Sequence, residues 1–336
     1  MIYTVQVFPE FGNFSKIWKS RILSSSIPSI KYMSLLPLLK PRYWLLWMVI
    51  GILWCLTRLP HRWQLAAGRQ IGLMAFWLAP RRRRIAAINL KLCFVELNDT
   101  QRYQLLRRHF ESLGMGLLEM LSAWWRGDRA LKSLGHIEGL EHLHTALEQG
   151  KGVILVGAHF TSLEIGTRFL TMHAAIHAVY RPHENPLIEY FMKKSRDSRA
   201  EKAIPRDAVR EMVRSLKQNK LLWFATDQNF GHKQSVFANF FGIAAATNIA
   251  TSRLAQISGA SVVPFFTQRL ENNQGYKVII QPALENFPSN DSVQDASLIN
   301  QLIEIQARRA PEQYLWVHRR FKDRPSGETE FYNGEI

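Results

Sequence analysis

His159 and Glu164 are the residues whose types and spacing most clearly suggest chemistry in this sequence. Four residues separate the histidine from the glutamate, giving an H-x4-E pattern. Imidazole titrates near neutral pH, so His159 can take a proton from a hydroxyl group. A carboxylate in the first turn of a helix is favoured in its ionised form and can hold the tautomer of a nearby imidazole. The pair therefore predicts a general base, His159, that is oriented by Glu164 and acts on a hydroxyl of the substrate.

A strand and a helix are predicted to position this pair. Residues 152–158, GVILVGA, are apolar and bounded by charge, which is typical of a short buried parallel strand. Thr161 and Glu164 form a capping-box pattern, which predicts a helix that starts at Thr161. The pattern alone leaves a second interpretation open, in which Glu164 only caps this helix and His159 is an ordinary loop histidine.

Polar residues also follow two other predicted strands. Arg181 comes after the strand at residues 176–179, and Asp227 comes after the strand at residues 221–226. The carboxyl ends of parallel strands meet at one edge of a sheet, where open α/β folds bind their ligands. We therefore expect both side chains to share a site with His159. Taken alone, each has the simpler explanation of a loop salt bridge.

The alternation of apolar strands with amphipathic helices predicts an α/β fold, with a mixed, mostly parallel sheet flanked by helices. Helices are predicted at residues 62–79, 99–126, 185–199, 207–217, 247–258 (with Thr247 as cap) and 292–309, and further strands at 262–266 and 276–280. No G-x-S-x-G nucleophile elbow is present in the sequence. The nucleophile is therefore expected to come from the substrate.

The composition indicates an anionic partner and a reducing compartment. Lys and Arg number 43 against 27 Asp and Glu, a formal net charge of +16. The two cysteines do not form a disulfide framework. No cysteine and histidine cluster has the spacing of a zinc site, and the sequence predicts neither a metal nor an organic cofactor.

The N-terminal region is predicted to attach the protein to a membrane. Residues 1–40 are interpreted as an irregular tail, 41–64 as an anchor helix and 65–332 as a single α/β domain. Residues 44–56 carry no charge and are rich in tryptophan. A helix of this length rises about 20 Å, less than the roughly 30 Å of a bilayer core, so the anchor is either a short tilted span or an in-plane helix. The alternative is a buried core helix.

Four consecutive arginines, Arg81, Arg82, Arg83 and Arg84, follow this apolar region. Basic residues beside a membrane each contribute about 1 kcal/mol of attraction to anionic headgroups. The run is therefore interpreted as a headgroup clamp. A solvated helix face and a nucleic-acid patch are the alternatives, and nucleic acid is disfavoured because no RRM, KH or helix-turn-helix signature accompanies the charge.

From about residue 59 to 332, the sequence resembles the late acyltransferases of lipid A biosynthesis, within the glycerolipid acyltransferase superfamily. The matching segments are RRRRIAAINL at residues 81–90, LCF at 92–94, the pair His159 and Glu164, VYRP at 179–182 with NP at 185–186, ATDQ at 225–228, SVF at 235–237 with FFG at 240–242 and AT at 246–247, and APEQYLWVHRRF at 310–321. Val95 and Thr226 stand where proline is usual in the family.

The resemblance implies an enzyme that passes a fatty acyl chain from acyl carrier protein to a hydroxyl of a chain on a lipid A precursor, which in many relatives bears Kdo sugars. It places the base on His159 and its partner on Glu164. It implies that the substrate is bound by Arg181, Asn185, Asp227, Gln228 and Arg319. The expected location is the bacterial inner membrane, with the catalytic domain on the cytoplasmic side. Acyl carrier protein, the precursor and the membrane are the expected partners.

Two other functions are compatible with the same residues. One is an acyltransferase for a different lipid, such as a lysophospholipid or a mannosylated phosphoinositide. The other is a non-catalytic membrane module that binds anionic lipid through its basic segments. The first shares the base at His159, and the second needs no base at all.

Overall fold

A seven-stranded sheet forms the centre of the protein in the computed structural model, which describes residues 35–229, 231 and 234–333. The strands are β1 (Gly135–Glu138), β2 (Val153–Gly157), β3 (Ile176–Tyr180), β4 (Lys202–Pro205), β5 (Leu221–Ala225), β6 (Ser235–Phe240), β7 (Ile243–Asn248), β8 (Ser261–Arg269) and β9 (Tyr276–Ile280). The central sheet has the order β1-β9-β8-β2-β5-β3-β4, and β6 pairs with β7 as a separate antiparallel hairpin. Within the central sheet all neighbours are parallel except β8 and β9. The predicted mixed, mostly parallel sheet is confirmed.

Helices cover both faces of this sheet. They are α1 (Trp44–Leu56), α2 (His61–Leu78), α3 (Pro80–Cys93), α4 (Asp99–Trp125), α5 (Asp128–Leu131), α6 (Leu140–Glu148), α7 (Leu163–Leu170), α8 (Pro186–Asp197), α9 (Val209–Lys217), α10 (Ala250–Ser258) and α11 (Ser292–Arg309). Alternate residues of β2 explain the two layers: Ile154 and Val156 belong to one hydrophobic core, and Val153 and Leu155 to the other. All five residues of β2 are buried, as expected for a strand covered on both faces.

The register of the parallel strands brings their carboxyl ends together. Gly157 of β2 stands opposite Ala225 of β5, and Ala178 of β3 stands opposite Trp223. The loops that follow these strands therefore leave the sheet at the same edge. This is the edge at which the sequence predicts a site.

The helix that was predicted to begin at Thr161 begins at Leu163, and the capping-box prediction is wrong. The N-cap is Ser162, which makes no capping hydrogen bond through its side chain. The hydroxyl of Thr161 instead lies 2.8 Å from that of Ser112 on α4. The Thr161 hydroxyl is thus paired with a distant residue, Ser112, and not with the backbone of the helix that follows it.

The prediction for residues 247–258 is wrong at its N-terminal end. Thr247 lies in β7 and does not cap α10, which begins at Ala250. The N-cap of α10 is Ile249, and Oδ1 of Asn248 accepts from the backbone N–H of Ala250 at 2.8 Å. The β6–β7 hairpin was not predicted.

The N-terminal helices differ from a spanning anchor. Of the predicted tail, residues 1–34 lie outside the described residues. Helix α1 covers only residues 44–56 of the anchor predicted at 41–64, and a turn at 57–60 separates it from α2. None of the residues of α1 is buried, which excludes the alternative of a buried core helix. Over the described ranges, no helix combines the length and apolar character needed to cross a membrane. The predicted tilted span is therefore not found there.

Helices α2 and α4 approach each other closely because glycines line their contact. A Cβ atom at Gly114 would collide with the backbone of Gly68 and Gly72. Gly116, two residues further along α4, would place a Cβ 2.6 Å from the carbonyl oxygen of Thr161. The crossing thus fixes α4 against the loop that follows β2.

Gly114→Ala should destabilise the protein by about 1–3 kcal/mol, because the added methyl overpacks a backbone contact. Gly51→Ala is the matched control, since Gly51 is also inside a helix but has no atom within 4 Å of its would-be Cβ. It should be neutral or stabilising by up to about 1 kcal/mol. Thermal unfolding in detergent compares the two, and an equal melting temperature for both variants would contradict the described packing.

Candidate active site

His159 leaves the carboxyl end of β2 and makes two hydrogen bonds to one carboxylate. Its Nδ1 lies 2.6 Å from Oδ1 of Asp227, and its backbone N–H donates to Oδ2 at 2.9 Å. Both residues are buried. The two contacts fix the imidazole plane against the loop that follows β5, so these two residues lie together at the edge of the sheet where a site is predicted.

Asp227 is ionised at neutral pH despite its burial. Burial raises the pKa of this carboxyl, but the charge and hydrogen bonds of His159, helped by Arg320, hold the pKa at about 2. An ionised carboxylate only accepts hydrogen bonds, so Nδ1 of His159 carries the proton. Nε2 is then the unprotonated nitrogen, which is the form that a general base requires.

Arg320 is held in place by three groups from two parts of the chain. Its guanidinium donates to the carbonyl of Ala246 at 2.8 Å, to the hydroxyl of Thr247 at 2.8 Å and to Oδ1 of Asn300 at 3.2 Å. The residue is buried. The β6–β7 hairpin and helix α11 thereby position a fixed positive charge that favours ionised Asp227.

Glu164 does not occupy the predicted position beside His159. It lies in the first turn of α7, where its Oε2 is 3.4 Å from Nε1 of Trp124. It also faces Arg196, whose pKa is lowered by burial and raised by Glu164. The hydrogen-bond partner of Nδ1 of His159 is Asp227 and not the predicted Glu164.

The loop that carries His159 is clamped by the C-terminal segment and by α4. The backbone N–H of Thr161 donates to the carbonyl of Gln313 at 2.7 Å, and that of Leu315 donates to the carbonyl of His159 at 3.0 Å. Arg269 donates to the hydroxyl of Thr161 at 3.2 Å while it forms a bidentate ion pair with Glu119. The geometry of the loop is therefore set by groups far away in sequence.

A pocket of about 280 Å³ opens beside His159 at the strand ends. Among the described residues it is lined by His159, Val179, Tyr180, Arg181, Arg206, Trp223, Phe224, Ala225, Thr226, Gln228, Asn229, Asn248 and His318. The predicted residues Arg181 and Gln228 are among them. Asp227 is not, so it acts on the pocket through His159. The wall of the pocket combines apolar and aromatic groups with two arginines, as expected for a site that accepts an amphipathic and anionic ligand.

Asn185 has a structural role and does not line the pocket. It is the N-cap of α8, and its Oδ1 accepts from the backbone N–H groups of Leu187 at 3.0 Å and Ile188 at 3.4 Å. Pro186 at the first helical position completes a standard helix start. The predicted contact of Asn185 with substrate is not supported by this geometry.

The four arginines of the predicted clamp begin α3, and only Arg81 is exposed. Arg82 donates to the carbonyl of Val317 at 3.4 Å, and Arg83 donates to that of Phe76 at 3.0 Å. Burial lowers the pKa of Arg82, and the positive charges of Arg81 and Arg319 lower it further. The run is therefore largely part of the packed structure, and Arg319 lies near its start.

The family model described as bacterial lipid A biosynthesis acyltransferase matches residues 35–323. The chain belongs to this family. Its resemblance to the late lipid A acyltransferases is thereby confirmed, and it is an acyltransferase.

Several relatives within the lipid A acyltransferase family cover nearly the whole domain. The chain is 40% identical over 295 residues to a lipid A biosynthesis palmitoleoyltransferase of Escherichia coli (strain K12), covering 88% of this chain and 96% of that one. It is 38% identical over 291 residues to a lipid A biosynthesis lauroyltransferase of the same organism, covering 86% and 95%. Since the two names differ in acyl chain, identity does not select the acyl chain of this enzyme.

The structure is similar to that of a 1-acyl-sn-glycerophosphate acyltransferase from Thermotoga maritima, and the match covers 68% of this chain and 97% of that one at 13% sequence identity. The TM-score of 0.34 is too low to support an argument about the fold.

Arg206, Asn248 and His318 are among the pocket residues of this acyltransferase that were not predicted from the sequence as site residues. Arg206 follows the short strand β4, which pairs with β3 and was missed. His318 lies in the segment 310–321 that carries part of the family resemblance, so the signal was present without a role attached to it. The strand-end rule would have found Arg206 had β4 been recognised.

Asp227→Asn should lower kcat for acyl transfer by about a thousandfold, because a neutral amide no longer favours the proton on Nδ1 of His159. The acid limb of the pH–rate profile should also move to lower pH, since the imidazolium loses its counter-charge. Glu164→Gln is the matched control and should leave the acid limb where it is in the wild-type enzyme. If the acid limb shifted in Glu164→Gln but not in Asp227→Asn, Glu164 and not Asp227 would be the residue that orients His159.

Proposed function

We propose that this acyltransferase moves a fatty acyl chain from the thioester of acyl carrier protein to a hydroxyl of a chain on a lipid A precursor. Family membership supports acyl transfer onto lipid A. The observation that carries the mechanism is the imidazole of His159, whose Nδ1 is engaged by ionised Asp227 beside the pocket. The base is the one predicted, and its partner in this proposal is Asp227.

The reaction needs one proton acceptor and no covalent enzyme intermediate. Nε2 of His159 takes the proton of the acceptor hydroxyl while the hydroxyl oxygen attacks the thioester carbonyl carbon. The tetrahedral intermediate collapses with cleavage of the C–S bond. The imidazolium then gives its proton to the departing thiolate, which leaves an ester, a thiol and a neutral imidazole. Asp227 stabilises the imidazolium between the two transfers.

The charges around the pocket suit a phosphorylated acceptor. Arg181 and Arg206 line it on the β3–β4 side. Arg82, which approaches Arg319 and Arg81, lies near His318 and lowers that residue's pKa. Arginine binds phosphate through a planar fork of donors. Two groups of arginines beside one pocket support an acceptor that carries more than one anionic group.

The basic character of the whole chain supports the proposed donor. A formal net charge of +16 attracts an acidic carrier protein at long range and raises the rate of encounter. The same charge favours an anionic membrane surface. Both effects weaken as ionic strength rises.

An exposed apolar face on α1 and α2 supports membrane attachment in the plane of the bilayer. The large exposed apolar residues of these helices are Trp44, Leu45, Met48, Val49, Ile52, Trp54, Trp63, Met74, Trp77 and Leu78. Arg58 and Arg62 lie over the rings of Trp54 and Trp63 at 4.5 and 5.7 Å from their centroids. Apolar patches with tryptophan and flanking arginine are typical of interfacial helices. We place this face on the inner membrane, with the catalytic domain on its cytoplasmic side.

Purified enzyme should convert a lipid A precursor and acyl-loaded acyl carrier protein into a product one acyl chain heavier by mass spectrometry. His159→Ala should lower the rate by several orders of magnitude, because no other group takes the hydroxyl proton. Acylation of a lysophospholipid but not of the precursor would replace the proposed acceptor. No acyl transfer to any acceptor would favour the non-catalytic membrane module.

Trp77→Glu should reduce binding to vesicles of anionic phospholipid by at least tenfold, because it loses the burial of a large aromatic side chain and adds a repelled charge. Ile257→Glu is the matched control, since Ile257 is 57% exposed and Trp77 69% exposed, and Ile257 lies on α10. It should bind as the wild type does. Flotation on a sucrose gradient measures both, and equal binding by the two variants would contradict the proposed face.

A further inference from the structure

The pocket wall contains several buried polar atoms that have no hydrogen-bond partner among the described residues. They are Trp223 Nε1, Thr226 Oγ1, Gln228 Nε2 and His318 Nδ1. Buried polar groups in native proteins are normally paired, and groups left unpaired require an explanation. Four such atoms around one pocket indicate that its wall has polar groups with which a ligand or ordered water can form hydrogen bonds.

His318 is the member of this set that lies in the electrostatic field of the catalytic pair. Burial is the main cause of its lowered pKa, and the charges of Asp227, which raises it, and of His159, which lowers it, act on the same ring. It lines the same pocket as His159 but comes from the irregular segment after α11. A second imidazole therefore stands beside the space in which the reacting groups meet.

The backbone that carries His318 is rigidly held. The side-chain amide of Asn89 donates to the carbonyl of Trp316 at 2.6 Å and to that of His318 at 2.7 Å. Tyr332 donates in turn to Oδ1 of Asn89 at 2.5 Å. The intervening residue, Val317, is fully buried. A side chain on such a segment is positioned before substrate arrives, as electrostatic stabilisation of a transition state requires.

The imidazole of His318 is neutral throughout the working range of pH. Burial lowers its pKa to about 3, and the positive charges of His159, Arg320 and Arg82 act in the same direction against Asp227. A neutral imidazole has one N–H donor and one acceptor nitrogen. It is too weak a base to compete with His159, so its use to the reaction is as a donor.

The surroundings also indicate which nitrogen donates. Nδ1 is buried with no acceptor among the described residues. A buried N–H without an acceptor is costlier and rarer than an unused acceptor site, which favours the proton on Nε2. Because the ring lines the pocket while Nδ1 is buried, Nε2–H is the donor that it offers to a ligand.

We propose that His318 is a second catalytic imidazole, which donates a hydrogen bond to the carbonyl oxygen of the acyl thioester and stabilises the oxyanion. This inference rests on the proposed function and adds an electrophilic group to it. When the acceptor oxygen bonds to the carbonyl carbon, the C=O electron pair moves to oxygen, where the N–H of His318 meets it. When the C–S bond breaks, the pair returns and the hydrogen bond weakens. His318 gains and loses no proton in this cycle.

The experiment compares His318→Phe and His318→Gln in purified enzyme, with lipid A precursor and acyl-loaded acyl carrier protein. His318→Phe should lower kcat by about 10²–10³-fold, the usual cost of losing one oxyanion donor, with KM for both substrates within about threefold of wild type. His318→Gln keeps an N–H donor and should recover at least tenfold of that loss. The acid limb of the pH–rate profile should not move in either variant.

His177→Gln is the matched control, because His177 is also buried, lies on β3 and does not line the pocket. Its kcat should stay within about twofold of wild type, whatever its effect on melting temperature. Melting temperatures of all variants identify any loss that comes from unfolding. His318→Gln tests the donor even where His318→Phe is poorly folded.

Three results would overturn the inference: unchanged kcat in a folded His318→Phe, a loss confined to KM, or an equal loss in His318→Gln and His318→Phe. Disappearance of the acid limb in His318→Phe would instead make His318 the base. Failure of the proposed acceptor is distinguishable from these outcomes. An enzyme that acylates another lipid still attacks a thioester carbonyl and still needs the donor, whereas an enzyme that transfers no acyl chain loses both proposals.

Discussion

The hydrogen bond between Nδ1 of His159 and the carboxylate of Asp227 is the interaction on which the rest of the site depends. It joins the loops after β2 and β5, which the parallel register Gly157 to Ala225 brings to one edge. A buried carboxylate is costly unless it is paired and hydrogen-bonded. Asp227 meets this condition through His159, with the positive charge of Arg320 nearby. The site is therefore coupled to the hairpin and to α11, which hold Arg320.

A second buried network holds the other end of the catalytic loop. Glu119 on α4 receives a bidentate ion pair from Arg269 and a hydrogen bond from Tyr276 at 2.9 Å, and Arg269 reaches the hydroxyl of Thr161. Buried ion pairs contribute little net stability, because desolvation of the charges opposes their attraction. Here the ion pair serves to position the loop, because the network connects α4, β8 and β9 to Thr161, two residues after His159. Stability comes instead from the apolar cores on both faces of the sheet.

The sequence predicted β2, β3, β5, β8 and β9, because apolar, β-branched runs bounded by glycine or charge are typical of buried strands, and it missed β1, β4, β6 and β7. The strand-end rule then brought Asp227 and Arg181 to the neighbourhood of His159 correctly. It could not decide between Asp227 and Glu164 as the partner of His159, because spacing along the chain does not specify where a side chain points. Glu164 points towards Trp124, and Ser112 takes the hydroxyl that would have capped the helix. Both determinants come from α4, about 40–50 residues away in sequence.

Other features had no local signal. His318 lies on a segment without helical or strand periodicity, and tertiary contacts, including those with Asn89, place it at the pocket. The hairpin at 235–248 was missed, and its last two residues, Thr247 and Asn248, were assigned to the helix that begins at Ala250. The arginine run at 81–84 was interpreted from charge alone, whereas Arg82 and Arg83 bind backbone carbonyls.

The measurement that tests the central claim most directly is ¹⁵N NMR of histidine-labelled enzyme at neutral pH, with His159 assigned from the His159→Ala variant. If Asp227 orients the base, His159 carries its proton on Nδ1, and this Nδ1–H group gives a low-field signal. The signal should disappear in Asp227→Asn and persist in Glu164→Gln. A His159 signal with the proton on Nε2, or one that survives Asp227→Asn and is lost in Glu164→Gln, would contradict the account.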